Sequence, residues 1–330
     1  MTDQTGAVPA ELARISAAYL RFAAEEVRGR SALYESFVCG IAADADMLAF
    51  LHALPPPKRQ PNLLLGAVRH LFGVADDWAA FRATILGNQA AVRALMLERS
   101  TQTNEPGRCA VLLPVLARLP QPLALLEVGA SAGLCLLPDR YAYAYGDHRL
   151  GQAAPAPLFP CTASAGAPLP DVLPNVVWRA GLDLNPIDVA DAAETTWLES
   201  LVWPEQTDRL ARLRAAVAIA AADPPAIVKG DLRSDLKRLA SDAPSNATLV
   251  IFHTAVLAYV IAPDEREAFA RTACALAPCW ISNESPRVFP AIAARAPSPS
   301  PRGRFLLALN GRPLAWTDPH GASIDWFAEP

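Results

Sequence analysis

The first third of the chain has apolar residues spaced three and four apart, which is typical of amphipathic helices. The first such segment is carried by Leu12, Ile15, Tyr19 and Phe22. Gly29 follows it as a helix terminator. The same pattern predicts further helices at residues 31–42, 44–53, 60–72, 78–98 and 106–119. Because no convincing strand precedes residue 120, we expect residues 1–120 to form an all-helical N-terminal domain that caps the remainder.

From residue 121 onward, short apolar runs alternate with helical segments. Strands are predicted at residues 123–128, 176–182, 226–229, 248–253 and 279–282. Helices are predicted between them at residues 134–145, 204–222, 232–239 and 264–276. This alternation indicates βαβ units and a mostly parallel sheet. Residues 151–174 are rich in proline and predict an inserted loop, and Asn310-Gly311 predicts the turn of an antiparallel hairpin formed by residues 305–309 and 314–316.

Composition and charge narrow the class of protein. With 330 residues, 52% apolar and 19% charged, the chain has the mix of a soluble globular protein. Its net charge of −4 gives no support for a nucleic-acid partner. The N-terminus lacks the basic and apolar regions of a signal peptide, and the longest apolar run, residues 249–262, is too short to cross a bilayer. We therefore expect a cytoplasmic protein without a membrane partner, and the scattered cysteines predict no metal site.

A glycine-rich segment, Glu127-Val-Gly129-Ala-Ser131-Ala-Gly133, follows the first predicted strand and allows two interpretations. In the first, the glycines let the backbone turn tightly against a nucleotide-like ligand, and the following helix offers its N–H groups. In the second, Ser131 is the nucleophile of a serine hydrolase, and His320 stands late in the chain where a triad histidine would. The hydrolase elbow would need several strands and an oxyanion loop upstream, which residues 1–120 do not offer. The sequence therefore favours a cofactor loop.

Polar residues end the later predicted strands. Asp183 follows the second strand, where a carboxylate could accept both hydroxyls of a ribose. Asp231 follows the third strand and could reach an adenine amino group, and His253 ends the fourth. Because the carboxyl ends of parallel strands share one edge, we expect a ligand site there.

These residues resemble the motifs of class I S-adenosylmethionine-dependent methyltransferases. Glu127-x-Gly129-x-x-x-Gly133 is similar to their first motif, Asp183 to their ribose-binding acid and Gly230-Asp231 to their third motif. The terminal hairpin is similar to the reversed seventh strand of that fold. The resemblance implies a Rossmann-like methyltransferase-type domain over residues 121–330. It also implies an S-adenosylmethionine site formed by Glu127, Gly129, Ser131, Gly133, Asp183 and Asp231.

Nearly the whole chain also resembles an uncharacterised bacterial family of unknown function. The shared segments are residues 102–105, 126–134, 178–186, 202–206 and 252–253. Two features depart from the methyltransferase pattern: Ser131 replaces the central glycine of the loop, and about 50 residues separate Gly133 from Asp183, where ~20 are usual. A methyltransferase-like binding protein without catalytic activity therefore stays an alternative.

Several residues are candidates for chemistry on a small or enclosed substrate. His253 is the candidate general base, with a hydrogen-bonded core histidine as the alternative. Glu284 follows the fifth strand and could orient a substrate. Candidate substrate ligands are Asn104, Glu105, Arg108, Trp203 and Glu205.

Overall fold

The computed structural model of the chain describes residues 4–102, 104–151, 156–260, 262–299 and 303–329. The helices are α1 (Gln4–Phe22), α2 (Ala32–Ala43), α3 (Ala45–His52), α4 (Pro61–Phe72), α5 (Trp78–Gly87), α6 (Gln89–Glu98), α7 (Cys109–Leu116), α8 (Ala192–Ser200), α9 (Thr207–Ala222), α10 (Leu236–Ser241), α11 (Pro263–Leu276) and α12 (Pro290–Ala293). The strands are β1 (Leu123–Val128), β2 (Ala142–Tyr145), β3 (His148–Leu150), β4 (Leu158–Pro160), β5 (Thr162–Ala163), β6 (Val176–Asp183), β7 (Ala226–Lys229), β8 (Thr248–Thr254), β9 (Cys279–Glu284), β10 (Phe305–Leu309), β11 (Arg312–Thr317) and β12 (Ser323–Trp326).

The chain divides into two compact units. The helical unit comprises the described residues of Met1–Thr103 together with Ala192–Leu210, and the sheet unit comprises those of Asn104–Asp191 and Ala211–Pro330. This division differs from the predicted boundary at residue 120. Residues 104–120 belong to the sheet unit, and a later segment that carries α8 returns to the helical unit.

The helices of the helical unit lie close to their predicted ranges because the residues that begin and end them act locally in the sequence. Ser31, Asp44 and Asp77 each accept a backbone N–H from the first turn of the helix that they precede. Gly73 has a φ of 81° and ends α4. One predicted helix is wrong: residues 78–98 form two helices, α5 and α6, because the backbone at Asn88 leaves the helical region.

The sheet unit contains a nine-stranded sheet in the order β5-β12-β11-β10-β9-β8-β1-β6-β7. Five neighbouring strands of this sheet, β9, β8, β1, β6 and β7, are parallel to one another. Strand β10 is antiparallel to β9, β11 to β10 and β12 to β11. All six residues of β1 are buried, as expected for a central strand covered on both faces. The predicted mixed α/β fold with a mostly parallel sheet and a terminal hairpin is confirmed. Asn310 and Gly311 both have positive φ, as the predicted hairpin turn requires.

One face of the large sheet packs on α10 and α11. Leu126 and Ile251 of the sheet share an apolar core with Leu239 of α10 and Phe269 of α11. Among the described residues, no helix combines the length and the apolar character that crossing a membrane requires.

The predicted helix over residues 134–145 is wrong. Two 3₁₀ turns, Leu134–Leu136 and Pro138–Arg140, are followed by β2, which pairs with β3 and β4 in a small second sheet. Pro138 cannot donate a helical hydrogen bond, and the alternating tyrosines suit a strand. Those tyrosines are buried, and their hydroxyl groups donate to the backbone carbonyls of Leu134, Pro138 and Ala110.

The predicted proline-rich loop is only partly a loop. Its described residues contribute β4 and β5, and residues 152–155 lie outside the described part of the chain. The terminal strand β12 was not predicted from the sequence pattern.

Candidate functional site

The carboxyl ends of the parallel strands bring most of the predicted polar residues to one edge of the sheet. Strand order reverses direction between β1 and β8, and open α/β sheets bind ligands at such a switch point. The residues at or just after these strand ends are Glu127 on β1, Asp183 on β6, Asp231 after β7, His253 on β8 and Glu284 on β9.

The loop after β1 turns tightly, as predicted. Gly129, Ser131 and Gly133 have φ angles of 73°, 51° and 69°. A Cβ at Gly129 would lie 2.2 Å from a methyl group of Val256, and one at Gly133 would lie 2.7 Å from Ile227. These glycines are therefore required by the close approach of protein side chains. Since no α-helix follows the loop, the expected helix N-terminus is absent from this site.

Side chains of the protein itself bind the loop. The Ser131 N–H donates to Oδ2 of Asp183 at 2.8 Å. The Asn104 amide spans two loop residues: its Oδ1 accepts the Ala132 N–H at 2.8 Å, and its Nδ2 donates to Oγ of Ser131 at 2.7 Å. These N–H groups are thus already engaged in the described structure.

Asp183 keeps the capacity to bind a ligand. Its Oδ1 accepts the Asn185 N–H at 2.8 Å, so each carboxylate oxygen accepts one backbone hydrogen bond. An ionised carboxylate has about four acceptor sites. The residue is half-buried, and these two hydrogen bonds use about half of its acceptor sites.

Glu127 is a buried acid with an unused oxygen. The residue is 4% exposed, and its Oε2 accepts no hydrogen bond from the described part of the chain. Burial raises the pKa of Glu127 well above its usual value; nearby Cys135 adds to this rise, Arg108 opposes it, and Asp183 adds to it. A cationic group placed here would favour the ionised form.

The segment 104–108 crosses this edge and joins three parts of the sheet unit. Asn104 holds the loop as described. Arg108 donates from Nε to the Pro319 carbonyl at 2.8 Å and from Nη1 to the carbonyl and hydroxyl of Thr254 at 3.1 and 3.2 Å. Glu105 accepts the Gly107 N–H through Oε1, and its Oε2 lies 3.3 Å from Nδ1 of His320. The predicted substrate ligands of this segment therefore lie together at the candidate site.

The two predicted catalytic residues contact each other within the protein core. Nδ1 of His253 lies 2.8 Å from Oε1 of Glu284, and both side chains are buried. The same Glu284 oxygen accepts the N–H groups of Val256 and Leu257. The His253 ring is stacked on Trp280 at 5.9 Å. The pair thus fixes the turn after β8, whose Val256 packs on Gly129.

Three other predicted site residues form hydrogen bonds with other residues of the protein. Arg233 donates to both oxygens of Asp231, and these hydrogen bonds hold the pKa of Asp231 below its usual value. Trp203 and Glu205 belong to the helical unit. There the Trp203 indole donates to Asn62. Glu205 accepts hydrogen bonds from the Ser31 hydroxyl and the Leu33 N–H.

Sequence reasoning did not connect the terminal turn, residues 318–321, with segment 104–108. Gly321 has a φ of 83°, and a Cβ there would collide with the Gly107 carbonyl. The run Asp318-Pro-His-Gly321 signals a turn, but nothing local shows where that turn packs. Among the described residues, no cluster of three or more His, Cys, Asp or Glu side chains could hold a metal ion.

Comparison with known proteins identifies the family to which the chain belongs. Residues 16–326 match the family described as "Uncharacterized protein conserved in bacteria (DUF2332)", in agreement with the resemblance found in the sequence. No curated protein and no solved structure matches the chain.

Proposed function

We propose that this chain, which belongs to that bacterial family, is an S-adenosylmethionine-dependent methyltransferase with a Rossmann-like sheet unit. The observation that carries the proposal is the pair of carboxylates at the switch point. Asp183 has unused lone pairs, and Glu127 has a buried oxygen without a partner among the described residues. The strand order β7-β6-β1-β8-β9 supports it, since this is the 3-2-1-4-5 order of dinucleotide-binding sheets.

The residues fit the cofactor in part. Asp183 would accept the ribose hydroxyls, and Glu127 would face the cationic end of the ligand, whose charge offsets the cost of ionising a buried acid. The N–H groups of Ser131 and Ala132 do not fit the expected role, because Asp183 and Asn104 already accept them. Asp231 would not contact the cofactor, because Arg233 donates hydrogen bonds to both of its carboxylate oxygens.

The protein's contribution to the reaction is mainly alignment. S-adenosylmethionine supplies, when bound, an electrophilic methyl group on a sulfonium. Asp183 and Glu127 would orient it, and the segment 104–108 would line the substrate side of the same edge. Holding two reactants in line removes much of the entropic cost of their reaction.

A thermal-shift titration with S-adenosylmethionine and S-adenosylhomocysteine tests the proposal. Ligand at about 100 times its Kd stabilises the folded state by about 2.7 kcal/mol. We expect Asp183→Ala to abolish this shift and Asp183→Asn, which conserves shape, to weaken it. Glu267→Gln, an exposed acid on α11, is the matched control and should behave as wild type. No shift in the wild-type chain at millimolar ligand would overturn the proposal.

A serine hydrolase is the second candidate, because Ser131 sits at a φ of 51° in the manner of a strained nucleophile. The hydroxyl group of Ser131 is bonded to Asn104, however, and the N–H of Ala132, the expected oxyanion donor, is accepted by the same amide. We therefore expect a fluorophosphonate probe to leave Ser131 unlabelled. Stoichiometric labelling would favour the hydrolase instead.

A further inference from the structure

Arg108 is a buried cation without a carboxylate partner. The residue is 5% exposed, and among the described residues no carboxylate lies within ion-pair distance of its guanidinium group. Its hydrogen bonds go to neutral acceptors: Nε donates to the Pro319 carbonyl at 2.8 Å, and Nη1 donates to the carbonyl and hydroxyl of Thr254 at 3.1 and 3.2 Å. The ring of Phe305, whose centre lies 6.0 Å from the guanidinium carbon, is also uncharged. Buried arginines are nearly always paired with an anion, whereas the charge of Arg108 is not neutralised by the described side chains.

One nitrogen of this guanidinium group is able to bind an anion. Nη2 donates to none of the described residues. It is not among the polar atoms that are buried without a partner, so it is open to solvent. The N–H donors of an arginine form a planar fork that matches the two oxygens of a carboxylate. Because Nε and Nη1 are fixed by their bonds to Pro319 and Thr254, Nη2 is held in place, and an incoming carboxylate has no ion pair to break.

Arg108 contacts the carboxyl edge of the sheet one strand away from the glycine-rich loop. Its partner Thr254 is the last residue of β8. Strand β8 pairs with β1, and Phe252 lies opposite Glu127, so Thr254 is level with the first residues of the loop. Neighbouring strands lie about 4.8 Å apart. Burial has the largest effect on the pKa of Glu127 and raises it, while the charge of Arg108 acts on the same carboxyl group and lowers this pKa. The unpaired cation and the unused oxygen of Glu127 therefore lie at the same edge.

We propose that Arg108 binds a carboxylate group at this edge, beside the cationic group that faces Glu127. The inference rests on the proposed function for the identity of the ligands and on the unpaired guanidinium group for the carboxylate. A carboxylate at Nη2 would neutralise the charge of Arg108, which a neutral or cationic group would leave unpaired. Two sources offer this chemistry: the amino-acid end of S-adenosylmethionine, and the substrate that accepts the methyl group. In the second case the substrate is a carboxylic acid.

Calorimetric titration of the full chain with S-adenosylmethionine and with decarboxylated S-adenosylmethionine tests the first source. The two ligands differ only by the carboxylate. If Arg108 binds that group, the wild-type chain should bind S-adenosylmethionine about ten- to a hundredfold more tightly, the range expected for a hydrogen bond to a charged group. Arg108→Gln should bind both ligands equally and as weakly as the wild-type chain binds the decarboxylated one. Arg238→Gln, an exposed arginine on α10, is the control and should keep the preference.

Acetate tests the second source, with acetamide as its uncharged analogue. Both are added at constant ionic strength to the chain with and without saturating S-adenosylmethionine, and the melting temperature is measured. If the carboxylate belongs to the substrate, acetate should raise the melting temperature of the wild-type chain more than acetamide does, also with S-adenosylmethionine present. Arg108→Gln should remove this difference, and Arg238→Gln should keep it.

The outcomes separate the two sources and the two proposals. A preference for S-adenosylmethionine that depends on Arg108 assigns the carboxylate to the cofactor, and equal binding of both sulfonium ligands with an Arg108-dependent acetate effect assigns it to the substrate. Equal binding of the two ligands, or binding of neither, together with identical effects of acetate and acetamide, would overturn the inference. An Arg108-dependent acetate effect without S-adenosylmethionine binding would overturn only the methyltransferase. If Arg108→Gln does not fold, the wild-type comparisons alone can still overturn the inference in this way.

Discussion

The amide of Asn104 should contribute measurably to the stability of the sheet unit. Asn104→Ala removes two hydrogen bonds of 2.7 and 2.8 Å at once. The Ala132 N–H, in a residue 1% exposed, would lose its acceptor, at a cost of about 1–3 kcal/mol, and the lost bond to Ser131 adds about 1 kcal/mol. We therefore expect the free energy of unfolding to fall by about 2–4 kcal/mol.

Urea unfolding of the full chain followed by circular dichroism measures this change. Asn104→Asp is the matched control, because a carboxylate still accepts the Ala132 N–H and the Ser131 hydroxyl can rotate to donate to it. It should lose less than about 1 kcal/mol. An Asn104→Ala variant as stable as wild type would show that Asn104 does not hold the loop, and the account of this site would fail.

Three further substitutions test other parts of the structure. Burial raises the pKa of Glu127, so between the pKa of the unfolded chain and that of the folded chain only the folded chain keeps this proton. The free energy of unfolding should therefore fall as the pH rises through this range, by at most about 1.4 kcal/mol per pH unit. Glu127→Gln should remove this dependence in urea unfolding at several pH values and be more stable than wild type at the alkaline end; parallel pH profiles would refute the assignment. Gly129→Ala should cost about 2 kcal/mol or more in thermal unfolding, from positive φ and the clash with Val256, and adding Val256→Ala should recover part of that loss. Trp203→Phe should lower stability by about 1–2 kcal/mol through loss of the bond to Asn62, and an unchanged melting temperature would speak against its place in the helical core.

Features with local signals were predictable from the sequence. The caps Ser31, Asp44 and Asp77 mark helix starts, and Asn310-Gly311 marks the hairpin, since each acts within a few residues. The positions of Glu127 and Asp183 at one edge of the sheet followed from the predicted parallel strands, because the carboxyl ends of parallel strands share one edge.

Features that depend on distant contacts were not predictable. Residues 134–145 have helical spacing, but Pro138 and pairing with β3 and β4 make their last four residues a strand. The sequence near Glu105 and Arg108 does not show what their side chains contact, which is His320 and Thr254, more than 140 residues later. The pairing of His320 with Glu105 depends on where the terminal turn packs, which no local pattern encodes.

Isothermal titration calorimetry of S-adenosylmethionine in two buffers of different ionisation enthalpy measures both ligand binding and the number of protons that binding releases. If Asp183 and the buried Glu127 hold the cationic ligand, binding should be saturable, and at a pH where the free protein still holds the proton of Glu127 it should release that proton. Glu127→Gln should remove the proton release, and Asp183→Ala should remove binding. Saturable binding with no proton release, or binding that survives Asp183→Ala, would contradict the site, and no heat at millimolar ligand would contradict the function.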